Sequence, residues 1–161
     1  MAGNFSVRKA TRSDSPGFLK LLVALANYEH LTPPTPAARR RIVNDIFSKK
    51  LASLFVAEDR KFRQVGYALY FFTYSSFLAR PTLYLEDIFV AEEHRKRGIG
   101  KALFLACVRE ARRRGCGRME WAVLTWNQSA INFYEKLGAR RLDEWHYYRL
   151  TSDALEVLSQ T

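Results

Sequence analysis

Two glycines one residue apart, Gly98 and Gly100, stand inside the basic segment HRKRGIGK (residues 94–101), just ahead of an amphipathic helical pattern. The first turn of a helix exposes backbone N–H groups that have no acceptor inside the helix. A pyrophosphate would supply one, approaching closely where side chains are missing and drawn by Arg95, Lys96, Arg97 and Lys101. The other reading is a glycine-rich turn whose basic residues are merely solvated. Two familiar phosphate loops fail on spacing. A P-loop needs four residues between its glycines and a hydroxyl residue after the lysine, whereas Ala102 follows Lys101 here. A dinucleotide fingerprint needs a third small residue where this chain has Leu103, and it should follow the first strand of the fold. A second chemical feature is the pair Glu86–Asp87 inside the apolar run YLEDIFV. Successive strand side chains alternate faces unless a bulge intervenes, so one of the two carboxylates can reach a cleft and accept a proton. Alternatively both sit on a sheet edge and pair with surface arginines.

These groups need elements to hold them. The chain has 161 residues, the length of one domain, with a net charge of +10 and a globular balance of apolar and charged residues. No apolar run is long enough to cross a bilayer, and the opening residues lack the apolar stretch of a signal peptide, so a cytoplasmic protein is expected, away from membranes. Cys107 and Cys116 have neither metal-ligand nor CxxC spacing, and His30, His94 and His146 are scattered, so neither a metal centre nor a Ser/His/Asp triad is expected. The charge clusters at Arg39–Arg41, at the glycines, at Arg112–Arg114 and at Arg140–Arg141. The first and third of these read as solvated helix faces, the third matched to a helix dipole.

Along the chain, FSVRKA alternates as a half-buried strand. A helix follows, capped at Ser13, Asp14 or Ser15, and a second starts at Pro36 with Thr35 as its cap. Three aromatic and β-branched runs between Leu54 and Val90 read as antiparallel strands. After the glycines come a helix ended by Gly115, a strand MEWAVL, a helix SAINFYEKLG and a last strand around HYYRL. The order is βααβββαβαβ, an α/β (α+β) chain with a mixed central sheet flanked by helices, because strand, glycine turn, helix and strand in series imply a parallel crossover. No linker or repeat interrupts it, so a single domain over 1–161 is expected.

Arg95-x-x-Gly98-x-Gly100 resembles the acyl-CoA pyrophosphate motif of the GNAT acetyltransferases. Together LANYE, YLEDIFV, RGIGK and WNQSAINFYEKLGA, in that order over nearly the whole chain, resemble the diamine (spermidine/spermine) and thialysine acetyltransferase branch. The resemblance implies acetyl-CoA as co-substrate. It implies that backbone groups of Ile88, Phe89 and Val90 hold the pantetheine and thioester and that residues Arg95, Lys96, Arg97, Gly98, Ile99, Gly100 and Lys101 hold the pyrophosphate. It implies further that Asn127 and Ser129 border the cofactor, that Tyr134 is the general acid, and that Glu86 handles the amine. Lys96 stands where this branch often carries a further glycine, and DEWHYYRL matches its terminal strand only loosely.

Only the free base of an alkylamine attacks a thioester, so a proton acceptor is required, and Glu86 is taken as that base, directly or through water. Tyr134 would return a proton to the leaving thiolate, and a backbone N–H near Val90 would stabilise the oxyanion. Tyr28 and Glu29, with Asp87 and Trp145, are candidates for a second cationic group of the amine, through charge pairing and cation–π attraction. The expected function is direct acetyl transfer from acetyl-CoA to a primary amine of a small polyamine, diamine or thialysine-like molecule. The alternatives are a protein N-terminal or lysine acetyltransferase, and, without chemistry, a nucleic-acid-binding module or an acetyl-CoA sensor. Nucleic acid is not an expected partner, because the aromatics fall in apolar strand patterns. A homodimer is expected from the branch.

Overall fold

Alternating and continuous apolar runs become strands wherever they can cover a helix face, and they do so here in five places. The computed structural model describes residues 4–160. Strands β1 (Phe5–Lys9), β2 (Ser53–Asp59), β3 (Gln64–Ser75), β4 (Arg80–Val90) and β5 (Arg118–Glu120) form one sheet in sequence order. The first four pair antiparallel and β5 lies parallel to β4, giving the expected mixed sheet. The helices of this part are α1 (Ser15–Tyr28), α2 (Pro36–Phe47) and α3 (Ile99–Arg113). The chain divides into two units, one up to Ala122 and a second from Val123 on.

In the first unit α1 and α2 cover one face of the sheet. Phe18, Leu21 and Leu25 recur at helical spacing and, with Ile46, pack on Leu54, Val56, Tyr67, Leu69 and Phe89. Phe18 meets Tyr67 edge-on at 5.0 Å between ring centroids. Each such side chain contributes about 2 kcal/mol of burial, so this face anchors the helix ends that reach the site. The other face carries α3, whose Ile99, Leu103, Ala106, Cys107 and Ala111 are buried as their spacing predicts. Gly66 is fixed by packing, since a Cβ there would lie 2.8 Å from the Phe89 carbonyl oxygen.

Local signals set the helix starts. Thr35 accepts the Ala38 N–H at 3.2 Å, as a cap should. Asp14 precedes α1 but its carboxylate is used elsewhere: it takes the Thr11 N–H at 2.6 Å and both Arg8 guanidinium nitrogens at 2.8 Å. At the end of α3, Arg113 and Arg114 are not simply solvated. They bind buried Glu110 at 2.6 and 3.3 Å, and the Arg113 hydrogen bond holds that carboxyl down at about 2. The sequence hides this because Glu110 sits inside a basic run, REARRR.

The second unit contains α4 (Gln128–Lys136) and α5 (Ser152–Leu158). Here the expected order fails at its last element. The residues of HYYRL join no ladder among the described residues, and a helix, α5, follows them. Tyr147 and Tyr148 are adjacent, so a strand would turn them to opposite faces, and neither has a burying surface: they are 77% and 90% exposed. The expected strand MEWAVL is also shorter, ending as β5 at Glu120.

Candidate active site

The ladder between β3 and β4 slips by one residue at the acidic pair. Leu69 faces Asp87 while Tyr70 faces Leu85, so Glu86 is an extra, bulged residue. Strict alternation from Leu85 would place Asp87 on the α3 side. The bulge carries it instead to the α1 side, among Tyr67, Leu69 and Phe89. Its Oδ2 accepts a long hydrogen bond from the Tyr67 hydroxyl, 3.4 Å.

Three carboxylates converge there: Asp87, the exposed Glu86 beside it, and Glu29 at the end of α1. Burial, then the charges of Glu86 and Glu29, push the Asp87 carboxyl up to about 7, against the opposing Tyr67 bond. Burial also raises Glu29 and drives the Tyr67 phenol well above its usual value. Among the described residues no ion pair involves any of the three acids. A protein of net charge +10 thus keeps a local acidic cluster, which a small cation would neutralise.

Beyond the bulge, β4 loses its other neighbour. Pairing with β5 covers only Thr82, Leu83 and Tyr84, so among the described residues no strand pairs with the edge of β4 away from β3 between Leu85 and Val90, and the Val90 carbonyl is taken by Arg95 Nε. Such an edge offers backbone donors and acceptors to an extended amide-containing ligand.

The glycine segment follows. The first backbone bond of α3 runs from the Ala102 N–H to the Gly98 carbonyl at 3.0 Å, which leaves the N–H groups of Ile99, Gly100 and Lys101 without an acceptor in the helix. At Gly98 (φ +83°) a Cβ would meet nothing within 4 Å, and at Gly100 only Val90 at 3.8 Å. Packing does not require a glycine at Gly100, so the space beside it fits a phosphate. Lys96 has φ 60°, the left-handed region, which is the physical reason a glycine suits its position.

The basic side chains are less uniform than the sequence suggests. Lys96 and Lys101 are exposed. Arg97 donates to the Glu93 carbonyl at 2.9 Å. Arg95 turns away from the turn altogether: its Nε donates to the Val90 carbonyl at 3.0 Å and its guanidinium lies 4.7 Å from the Tyr28 ring centroid and 5.5 Å from that of Phe89. The ring face expected to meet a substrate cation therefore carries one of the protein's own.

In the first unit Tyr28, Glu29, Glu86, Asp87, Phe89, Val90 and Arg95 are brought together. In the second, Asn127, Ser129 and Tyr134 share α4. The Asn127 side chain caps that helix, accepting the Ala130 N–H at 3.2 Å; Ser129 is exposed in its first turn; Tyr134 is buried, with the Phe133 ring edge-on at 5.3 Å. Trp145 is 71% exposed in the segment between α4 and α5, apart from these three along the chain. Sequence reasoning missed Tyr67, a polar aromatic inside an apolar strand with no pattern of its own to mark it.

Residues 20–139 match the profile of the Acetyltransferase (GNAT) family. The chain is 34% identical to a thialysine N-epsilon-acetyltransferase of Sus scrofa over 164 residues, covering 95% of this chain and 96% of that protein. An L-ornithine N5-acetyltransferase of Arabidopsis thaliana is 47% identical over 95 residues, 59% of this chain, and the match spans 42% of that protein's length. Among solved structures, an integron cassette protein from V. cholerae superposes with a TM-score of 0.83 at 21% identity, over 98% of this chain and 99% of that one.

Proposed function

The chain belongs to the GNAT acetyltransferase family, whose co-substrate is acetyl-CoA, and from that premise we propose that it transfers the acetyl group directly to a primary amine of a small diamine, polyamine or thialysine-like molecule. The observation that carries this reading is the cluster of three carboxylates, Glu29, Glu86 and Asp87, which among the described residues form no ion pair with a basic side chain. A small amine brings the missing cation. The names of the relatives point the same way, toward ornithine and thialysine.

Acetyl-CoA supplies the electrophilic thioester. The open edge of β4 at Ile88, Phe89 and Val90 would hold its extended arm, and the N–H groups at the start of α3 with Lys96, Arg97 and Lys101 its pyrophosphate. Arg95 would join them by leaving the Tyr28 ring, which would free that face for the distal cation of the amine. One carboxylate of β4 takes the ammonium proton; the roles of Tyr134 as acid to the departing thiolate and of Asn127 and Ser129 beside the cofactor rest on the family resemblance. The relay needs no metal.

We place this activity in one GNAT domain over 1–161, in a cytoplasmic homodimer. The unpaired cysteines suit a reducing compartment, and no helix among the described residues is long and apolar enough to cross a membrane. For the dimer, the support is the run Trp145, Tyr147, Tyr148 and Leu150, each more than half exposed, apolar surface that a second copy would cover.

The test is thiol release from acetyl-CoA over a panel of diamines, spermidine, spermine, ornithine, thialysine, lysine and N-terminal peptides. Saturable release with small amines supports the reading. Release with peptides alone overturns it.

A further inference from the structure

The bulge at Glu86 decides which of two neighbouring carboxylates faces the buried side of the cluster. Glu86 is the inserted residue and is exposed. Asp87 is half-buried, faces the α1 side of the sheet and is held by the Tyr67 hydroxyl, itself fully buried. Resting on the acetyl transfer proposed above, we propose that Asp87, oriented by Tyr67, is the group that takes the proton from the attacking ammonium, and that Glu86 serves only to shape the local field.

Proton affinity separates the two roles. A primary alkylammonium holds its proton to about pH 10, so passing it to an ordinary carboxylate is very unfavourable. Withdrawal from water and the charges of Glu86 and Glu29 bring the Asp87 carboxyl to about 7. That makes the transfer about a thousandfold less unfavourable than to an unperturbed aspartate. The charged and titratable groups facing Asp87 are Tyr67 from β3, Glu86 from β4 and Glu29 from the end of α1. Arg95 sits beyond them on the rings of Tyr28 and Phe89.

The step balances without a further reactant. The ammonium gives one proton to Asp87. The free nitrogen then forms the N–C bond to the acetyl carbon, and the C–S bond breaks with its electron pair on sulfur. The second N–H proton is lost as the amide forms, and the thiolate is protonated in turn. Asp87 releases its proton to solvent, and the products are the acetamide and the free thiol.

The test is kcat/KM against pH for the wild type, Asp87→Asn, Glu86→Gln and Tyr67→Phe, each with acceptor amines of graded basicity. The wild type should lose activity as pH falls through about 7. Asp87→Asn should remove that limb and lower the rate at pH 7 by about a hundredfold, with a deficit that shrinks as the acceptor becomes less basic and arrives already deprotonated. Glu86→Gln should keep the limb. Tyr67→Phe removes a donor that favours the ionised carboxylate, so its limb should move to higher pH. The proposal is overturned if Asp87→Asn keeps the limb, if its deficit is equal for all amines, or if Glu86→Gln abolishes the limb. A wild type that acetylates no amine would instead remove the functional reading, and this proposal with it.

Discussion

Replacing Asp87 by asparagine should make the protein more stable while making it a poorer enzyme. The folded carboxyl is raised from 3.8 to about 7, first by burial, then by Glu86 and Glu29. Between those values the folded state binds a proton that the unfolded state does not, so the carboxyl's contribution to stability is complete below pH 4 and is lost as pH rises through 7. Three units at about 1.4 kcal/mol each set an upper limit of about 4 kcal/mol. Partial solvation of a half-buried group reduces this, and about 2 kcal/mol is expected. Asparagine retains an oxygen to accept the Tyr67 hydroxyl and carries no charge. Urea unfolding at pH 8, 6 and 4.5 should therefore show Asp87→Asn more stable than the wild type by about 2 kcal/mol at pH 8, roughly a 5 °C rise in Tm for a chain of this size. The gain should fade toward zero at pH 4.5. Glu86→Gln should give a smaller gain with the same pH trend. A destabilised Asp87→Asn at pH 8, or a difference that ignores pH, would refute the assigned environment.

Lys96→Gly should leave stability unchanged or raise it by up to about 1 kcal/mol, because the left-handed φ of 60° costs a side-chain residue more than glycine loses in chain entropy; Lys96→Val should lower it by about 1–2 kcal/mol, both read from urea midpoints. Gly66→Ala forces a methyl to 2.8 Å from the Phe89 oxygen and should destabilise by about 1–3 kcal/mol in the same assay. Asp14→Asn weakens the part-buried bonds to Arg8, whose side chain is 40% exposed, and should destabilise by about 1 kcal/mol at pH 7. Because Arg8 holds the Asp14 carboxyl well below the usual range, that difference should vanish in acid, once Asp14 is itself protonated. Tyr134→Phe should lower kcat at least tenfold with little change in KM, measured by steady-state thiol release.

Much of this architecture was legible because local chemistry and tertiary packing agree. Thr35 and Pro36 start α2 where capping rules put them, and the spacing of Ile99, Leu103, Ala106, Cys107 and Ala111 fixes the buried face of α3. The acidic pair on β4 and the glycine turn were visible as well. What period-two reasoning could not supply was the inserted Glu86, since a bulge changes register against a partner strand and leaves no mark in the alternation itself. The present position of Arg95 was hidden for a related reason: its place in the motif says phosphate, while its side chain rests on the Tyr28 and Phe89 rings, contacts that motif spacing does not encode. The terminal strand failed because aromatic content suggested strand, while among the described residues no strand of the sheet pairs with it.

The central claim is direct acetyl transfer to a small amine held at the carboxylate cluster, and product mass spectrometry tests it most directly. Incubation with acetyl-CoA and a small diamine should give the monoacetylated diamine and free coenzyme A in equal amounts. Acetyl-CoA alone should leave the protein unmodified. An acetylated protein that forms without amine, or an amine that stays unmodified while acetyl-CoA binds, would contradict the account.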